Sequence, residues 1–193
     1  MERSSFLMKR LWTVGFIAFV GCSLLEKPKD HIKQFIIQPG PTVTHFDHEK
    51  SIGLYISSEV NSERPYVQIT SHQQEPLSGA QWKDSLDKMI LRAMTYSLQD
   101  AGMTVYQGPS SAISDFQLHV VIRHFGLEYH PGKKMLHVAY FVEMRSGARG
   151  PVRKQKLFEI KKEHHWIDDQ DYIATLNNAH NELVQKMVNW INS

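Results

Sequence analysis

The chain of 193 residues has a single cysteine, Cys22, and that scarcity excludes a disulfide framework and any cluster of thiolate metal ligands. An excess of either charge is also missing. Lys and Arg number 22 against 20 Asp and Glu, a net charge of +2. Arg3, Lys9 and Arg10 against Glu2 account for that surplus, so the chain beyond residue 21 is balanced. An electrostatic footprint for nucleic acid is therefore absent. The apolar run Leu11–Val20 is too short for a transmembrane helix, which needs ~20 residues. No Gly-x-x-x-x-Gly-Lys loop occurs to cradle phosphate, and no Gly-x-Ser-x-Gly elbow to present a nucleophile. With hydrophobic residues at 41% and aromatic residues at 10%, the chain can bury a core without staples, which excludes a disordered polypeptide.

What is present begins at the amino terminus. Lys9-Arg10, the apolar stretch Leu11–Val20 and the small residue Gly21 have the order of a secretory signal peptide. The lone cysteine stands where a signal peptidase would cut, and Phe19-Val20-Gly21-Cys22 resembles the bacterial lipobox, with Phe19 in place of the usual Leu. The resemblance implies a diacylglycerol thioether on Cys22, cleavage before it and acylation of the new amino terminus. Several acyl chains hold a protein to a bilayer where one anchors only marginally. Ser23 follows, not Asp, which implies sorting to the outer membrane. The expected organisation is a signal peptide over 1–21, a lipidated tether over 22–30 and a folded domain over 31–193.

Periodicity supplies the elements of that domain. His31–Gln38, Ile52–Ser58, Tyr66–Thr70 and Met103–Tyr106 read as strands, with Pro65 favouring an edge or strand-start position for the third. From Gln81 to Gly102 the spacing turns helical, with a stripe of Trp82, Leu86, Met89, Ile90, Ala93, Tyr96 and Ala101 and Gly102 as C′ residue. Phe116–Phe125 and Met135–Met144 alternate cleanly and form a hairpin around Pro131-Gly132. Val152–Lys162 is a further strand with a lysine-rich face. Asp168 and Asp169 offer N-caps for a closing helix whose stripe is Tyr172, Ile173, Leu176, Ala179, Leu183, Met187, Trp190 and Ile191. The fold class is α+β, an antiparallel-rich mixed sheet with two amphipathic helices on one face.

Candidates for chemistry are few. Among 11 histidines no His-Glu-x-x-His pattern occurs, and Glu163-His164-His165 lacks the i, i+4 pair that zinc needs. His119 and His137 could meet across the hairpin as a two-ligand pair, but solvated or hydrogen-bonded histidines on the wet sheet face are the expected reading. Asp168 and Asp169 are explained by capping, and Trp82, Trp190 and the methionines by packing. No catalytic residue, cofactor or metal site is expected, and Cys22 is the one functional position assigned.

The order of the motifs then takes on a family look. Gln34-Phe35-Ile36-Ile37-Gln38-Pro39 is a loose counterpart of a Tyr-Tyr-x-Leu-x-Pro strand, without its tyrosine pair. Arg64-Pro65-Tyr66-Val67-Gln68-Ile69 follows an Arg-Pro-x-Ile-Val pattern, and Trp82 stands where a Trp opens the long helix. Asp115-Phe116-Gln117-Leu118-His119-Val120 and Asp171-Tyr172 complete the series. Over residues 31–192 the chain resembles the ABC-type transport auxiliary lipoproteins, a family of PqiC-like intermembrane transport lipoproteins. The resemblance implies a non-enzymatic periplasmic domain on the outer membrane. Its partners would be a periplasmic mammalian-cell-entry (MCE) domain protein and an inner-membrane ABC transporter that move lipid between membranes. A homo-oligomer is left open. The alternative is an assembly or chaperone lipoprotein for an outer-membrane complex, with a small metal-binding lipoprotein behind it.

The anchor gives the first prediction. Cys22→Ala should yield unprocessed, soluble or mis-sorted protein on membrane fractionation, and normal fractionation with the outer membrane would contradict lipidation.

Overall fold

The computed structural model describes residues 33–42, 44, 46, 50–60, 63–70, 73–130, 133–163 and 169–193. The signal peptide, Cys22, the tether, the Pro131-Gly132 turn, the His164-His165 pair and Asp168 lie outside the described residues. The strands are β1 (Lys33–Phe35), β2 (Lys50–Ser58), β3 (Tyr66–Thr70), β4 (Gln73–Pro76), β5 (Ala80–Trp82), β6 (Met103–Tyr106), β7 (Phe116–His130), β8 (Lys133–Ser146) and β9 (Val152–Glu163). The helices are α1 (Leu86–Asp100) and α2 (Asp169–Asn192), and a 3-10 turn spans Gly108–Ile113. These elements belong to one folded unit, Ile32–Ser193.

The sheet is organised around β7. One edge of it pairs antiparallel with β8 along its whole length, from Phe116↔Ser146 to His130↔Lys133, and β9 extends this ladder. The other edge is shared. β2 runs parallel to the first half, from Ile52↔Phe116 to Ser58↔Ile122, while β3 runs parallel at Val67↔Leu127 and Gln68↔Glu128. β6 lies parallel beyond β2, and β4 antiparallel beyond β3. The longest ladders are thus antiparallel within a mixed sheet, as expected. β3 is an inner strand, because β4 covers its outer edge, and it starts directly after Pro65.

Alternation builds the core. Leu118, Val120 and Ile122 of β7 are buried on the helix side, and then the register slips between Ile122 and His124. The extra residue, Arg123, makes a β-bulge, after which Phe125 and Leu127 continue the buried face. Leu136, Val138, Tyr140 and Val142 of β8 join them, with Phe158 and Ile160 of β9. Onto this surface α1 lays Leu86, Met89, Ile90, Ala93, Met94 and Leu98, and α2 lays Tyr172, Leu176, Leu183, Met187 and Val188. All of them form one continuous apolar cluster.

Two sequence expectations change within this layer. The first helix begins at Leu86, because Ala80–Trp82 is held as a strand by parallel pairing with Lys33–Phe35, closed by Lys83 N–H to Phe35 O at 2.8 Å. Trp82 is therefore a strand residue, still buried, with its ring edge-on to Phe125. Tyr96 is 55% exposed, since at 100° per residue it lies about a third of a turn from the centre of the stripe, which Met94 and Leu98 fill instead. Gly102 ends the helix at φ 91°, as its place in the sequence implies.

Residues 36–42 cross the helical layer. Gln38 N–H donates to Asn177 of α2 at 2.9 Å, and Thr42 N–H donates to Asp100 at the end of α1 at 2.9 Å. A Cβ on Gly40 would stand 2.6 Å from the Asn181 side chain, so any larger residue here would have to displace Asn181.

The core also encloses a titratable pair. Tyr140 of β8 and His180 of α2, both fully buried, share a hydrogen bond of 2.9 Å, and the second ring nitrogen of His180 has no partner. Burial pushes the His180 pKa down from 6.5 to about 3. A histidine held neutral in the fold binds a proton in the unfolded chain first. Its contribution is thus complete above about pH 6.5 and is lost as pH falls toward 3, by up to ~1.4 kcal/mol per unit.

Urea titrations should accordingly show the midpoint falling between pH 6.5 and 4.5, above the carboxylate range, and His180→Leu should flatten that slope. An equal slope in the variant would assign the effect elsewhere. Gly126 supplies a second prediction, because a Cβ there would stand 2.9 Å from the Tyr66 carbonyl oxygen, itself bonded by Tyr172. Gly126→Ala should lower stability by ~1–3 kcal/mol in urea, with an unchanged midpoint disproving the close approach.

Candidate functional surface

The sheet face turned away from the helices carries a different set of side chains, and the ladder registers order them in rows. Tyr55, His119 and Glu143 lie across β2, β7 and β8. The next row holds Val121, Phe141 and Leu157. Beyond the bulge come His124, Ala139 and Glu159, then Gly126, His137 and Lys161. Glu128 and Met135 follow.

One end of this face is covered. The 3-10 turn sits on Gly53, whose Cβ would stand 2.7 Å from Ser111, and it receives a hydrogen bond from Gln117 to Ser111 O at 3.3 Å. The remainder carries apolar surface among charges, with Leu157 of β9 50% exposed and Arg123 over the Phe141 ring at 5.7 Å.

His119 stacks on Tyr55 with centroids 4.9 Å apart, and its Nε2 is buried without a hydrogen-bond partner. Burial, assisted by the Arg145 charge, lowers its pKa. It opposes Glu143, not His137, so the cross-hairpin pair that was set aside in favour of ordinary sheet-face histidines does not form.

His137 meets His124 instead. Their rings stack at 3.9 Å with an interplanar angle of 19°. His137 is 3% exposed and lies between two carboxylates, with Nδ1 bonded to Glu128 Oε1 and Nε2 to Glu159 Oε1 at 2.7 Å. His124 Nδ1 stands 3.5 Å from the same Glu128 oxygen, and Lys161 Nζ stands 3.2 Å from its Oε2. Burial alone would raise the Glu128 pKa, but the hydrogen bonds and charges of His137 and Lys161 hold it at about 2. Burial and the neighbouring His137 lower that of His124.

The alternation pointed to His137 on this face but not to His124, Glu128, Glu159 or Lys161 as its companions. His124 arrives there only because the bulge inverts the parity of β7. The glycine inside the strand, Gly126, was the available signal, since strand glycines often accompany bulges and close backbone approach. It pairs with His137, and the place its side chain would take is filled by the Tyr66 carbonyl and ring.

Known proteins place this fold. The family model described as "ABC-type transport auxiliary lipoprotein component" matches residues 56–188. No curated protein sequence matches the chain. Among solved structures, protein XCC0632 from Xanthomonas campestris superposes with a TM-score of 0.69 at 16% identity, covering 83% of this chain and 95% of its own. An uncharacterized protein follows at TM-score 0.60 and 12% identity, covering 82% and 97%. The hypothetical protein CT253 from Chlamydia trachomatis matches at 0.50 and 8%, covering 75% and 96%. At these identities the structures share the fold. The family model spans the sheet from within β2 through most of α2, and on that match the chain belongs to the ABC-type transport auxiliary lipoprotein family, described as an auxiliary component of transport.

Proposed function

We propose that this chain is a non-enzymatic periplasmic lipoprotein, anchored in the outer membrane through Cys22. In this role it is an auxiliary component of an MCE/ABC-type system that moves lipid between the inner and outer membranes. The observation that carries the reading is the family match over residues 56–188, joined to the lipobox-like Phe19-Val20-Gly21-Cys22 upstream of the folded unit. Among the described residues no helix is long and apolar enough to cross a membrane, which is compatible with attachment through a lipidated tether.

The physical logic is that of effective concentration. Acyl chains hold the domain at one membrane, so a partner that reaches that surface meets it at high local concentration, and a modest interface suffices. The inner face of the sheet is occupied by the helices. The open part of the other face, with Leu157 half exposed beside Phe141 and a rim of charges, is the contact surface this reading favours. An interface with an apolar centre and a polar rim has that composition.

Photo-crosslinking in intact cells tests both parts. A crosslinking residue at Leu157 should capture a periplasmic MCE-domain protein, while one at Tyr96, on the solvent side of α1, should not. Capture of an outer-membrane assembly component, with changed outer-membrane protein levels and normal lipid distribution after deletion, would overturn the proposal in favour of the assembly role.

A further inference from the structure

The cluster on the open sheet face has the parts of a metal site. One ligand atom each from His124, Glu128 and His137 lies within 4.8 Å of the other two. A zinc ion with bonds of about 2.0–2.2 Å spaces its ligand atoms about 3.4 Å apart in a tetrahedron. His124 Nδ1 and Glu128 Oε1 already stand at 3.5 Å. Two rearrangements accompany binding. The contact of Glu128 with His137 Nδ1, now a hydrogen bond, opens by about an ångström as the ion takes the place of the proton between them. The half-exposed His124 ring turns out of its stack on His137, since the in-plane lone pairs of two rings at 19° do not converge on one ion.

The surroundings supply an outer shell. Glu159 Oε1 accepts from the far nitrogen of His137 at 2.7 Å, the carboxylate–histidine arrangement that fixes a ligand's tautomer and raises its basicity. Lys161, at 3.2 Å, holds the second oxygen of Glu128 and leaves Oε1 for the ion. His137 is fixed by burial at 3% exposure, while His124, at 35%, opens the site to solvent.

We infer that His124, Glu128 and His137 bind a divalent transition-metal ion of the zinc class on the open face of the sheet, with at least one coordination position left to water or to a donor from outside the chain. Two imidazoles and one carboxylate are a borderline donor set that suits Zn²⁺ and disfavours Mg²⁺ or Ca²⁺. The site is independent of the transport reading, because its geometry comes from the β7 bulge and the β8–β9 register alone. Lys161 limits affinity through its positive charge, and this makes a directional test available.

The full processed protein in detergent, stripped with chelator, should take up one equivalent of Zn²⁺ against a chromogenic competitor. His124→Ala and Glu128→Gln should each weaken uptake by at least about tenfold, and Glu159→Gln by about tenfold. Lys161→Gln should tighten it severalfold, and His119→Ala should leave it unchanged. Co²⁺ in the same protein should give ligand-field bands without a thiolate charge-transfer band. Should a ligand variant fail to fold, the rise in Tm produced by Zn²⁺ answers for wild type and Lys161→Gln, and it should be larger in the latter. Uptake below half an equivalent, uptake undiminished in folded His124→Ala, a thiolate band or no Zn²⁺-dependent rise in Tm would each overturn the site.

Discussion

A strand of fifteen residues cannot stay flat, and β7 must keep one partner along its whole length while exchanging another halfway. Strand twist accumulates along such a ladder, and the neighbour on the far edge changes from β2 to β3. The bulge at Arg123 falls at this change. By inserting one residue, it lets Ile122 and Phe125 face the same core, so the apolar surface beneath α1 and α2 stays continuous. In unbroken alternation, His124, Gly126 and Glu128 would have faced the helices and Phe125 and Leu127 the water. Burying an unpaired carboxylate and losing two large apolar side chains from the core together exceed what a small domain can tolerate. The bulge is thus a condition of the fold, and the composition of the outer face is its consequence.

The same parity change marks where sequence reasoning succeeded and where it stopped. β2, β6 and β9 were legible as strands, and so was the alternation of β7 up to Arg123, because period two is unambiguous over such a span. The facing of β9 was not: the side with Lys154, Lys156 and Lys162, which suggested a solvated face, is the side that buries Phe158 and Ile160, and Lys154 and Lys162 reach Trp190 and Glu182 of α2. The long closing helix was legible for the analogous reason, its stripe from Tyr172 to Ile191 being wide and regular. The start of α1 was not, since Trp82 is apolar at a helix-compatible spacing and only its nonlocal pairing with β1 makes it a strand residue. The short β4 was missed too, because Gln73–Pro76 has little apolar signal and depends on β3 for its existence. Residues beyond the bulge could be placed only by noticing that the apolar positions move from even numbers, ending at Ile122, to odd numbers, starting at Phe125.

The charged cluster was illegible for a further reason. Its members come from three strands, and what joins them is cross-strand register, which a single sequence does not state. His119 is five residues from His124 and His137 thirteen, yet it is the more distant one that meets it. The His137–Gly126 pairing decides this, and it is fixed by the whole β7–β8 ladder including the bulge. A local motif in the sequence would have required ligands on one helix or one turn.

Stability is an insufficient account of that cluster. Ion pairs around half-buried groups contribute modestly, because desolvation offsets much of the Coulombic gain, and a similarly shaped apolar patch would serve the fold as well. His180 makes the contrast inside the same molecule. It is neutral, enclosed and bonded only to Tyr140, which is how a core accommodates a histidine without using its charge. His137 is held between two carboxylates, stacked on a second imidazole and set beside solvent, so its polarity faces a surface the helices leave uncovered. The fold keeps its titratable surplus away from the layer that carries stability and gathers it where an outside group can reach it. A domain that works by contact, tethered near its partners, can change such a surface without disturbing the core behind it.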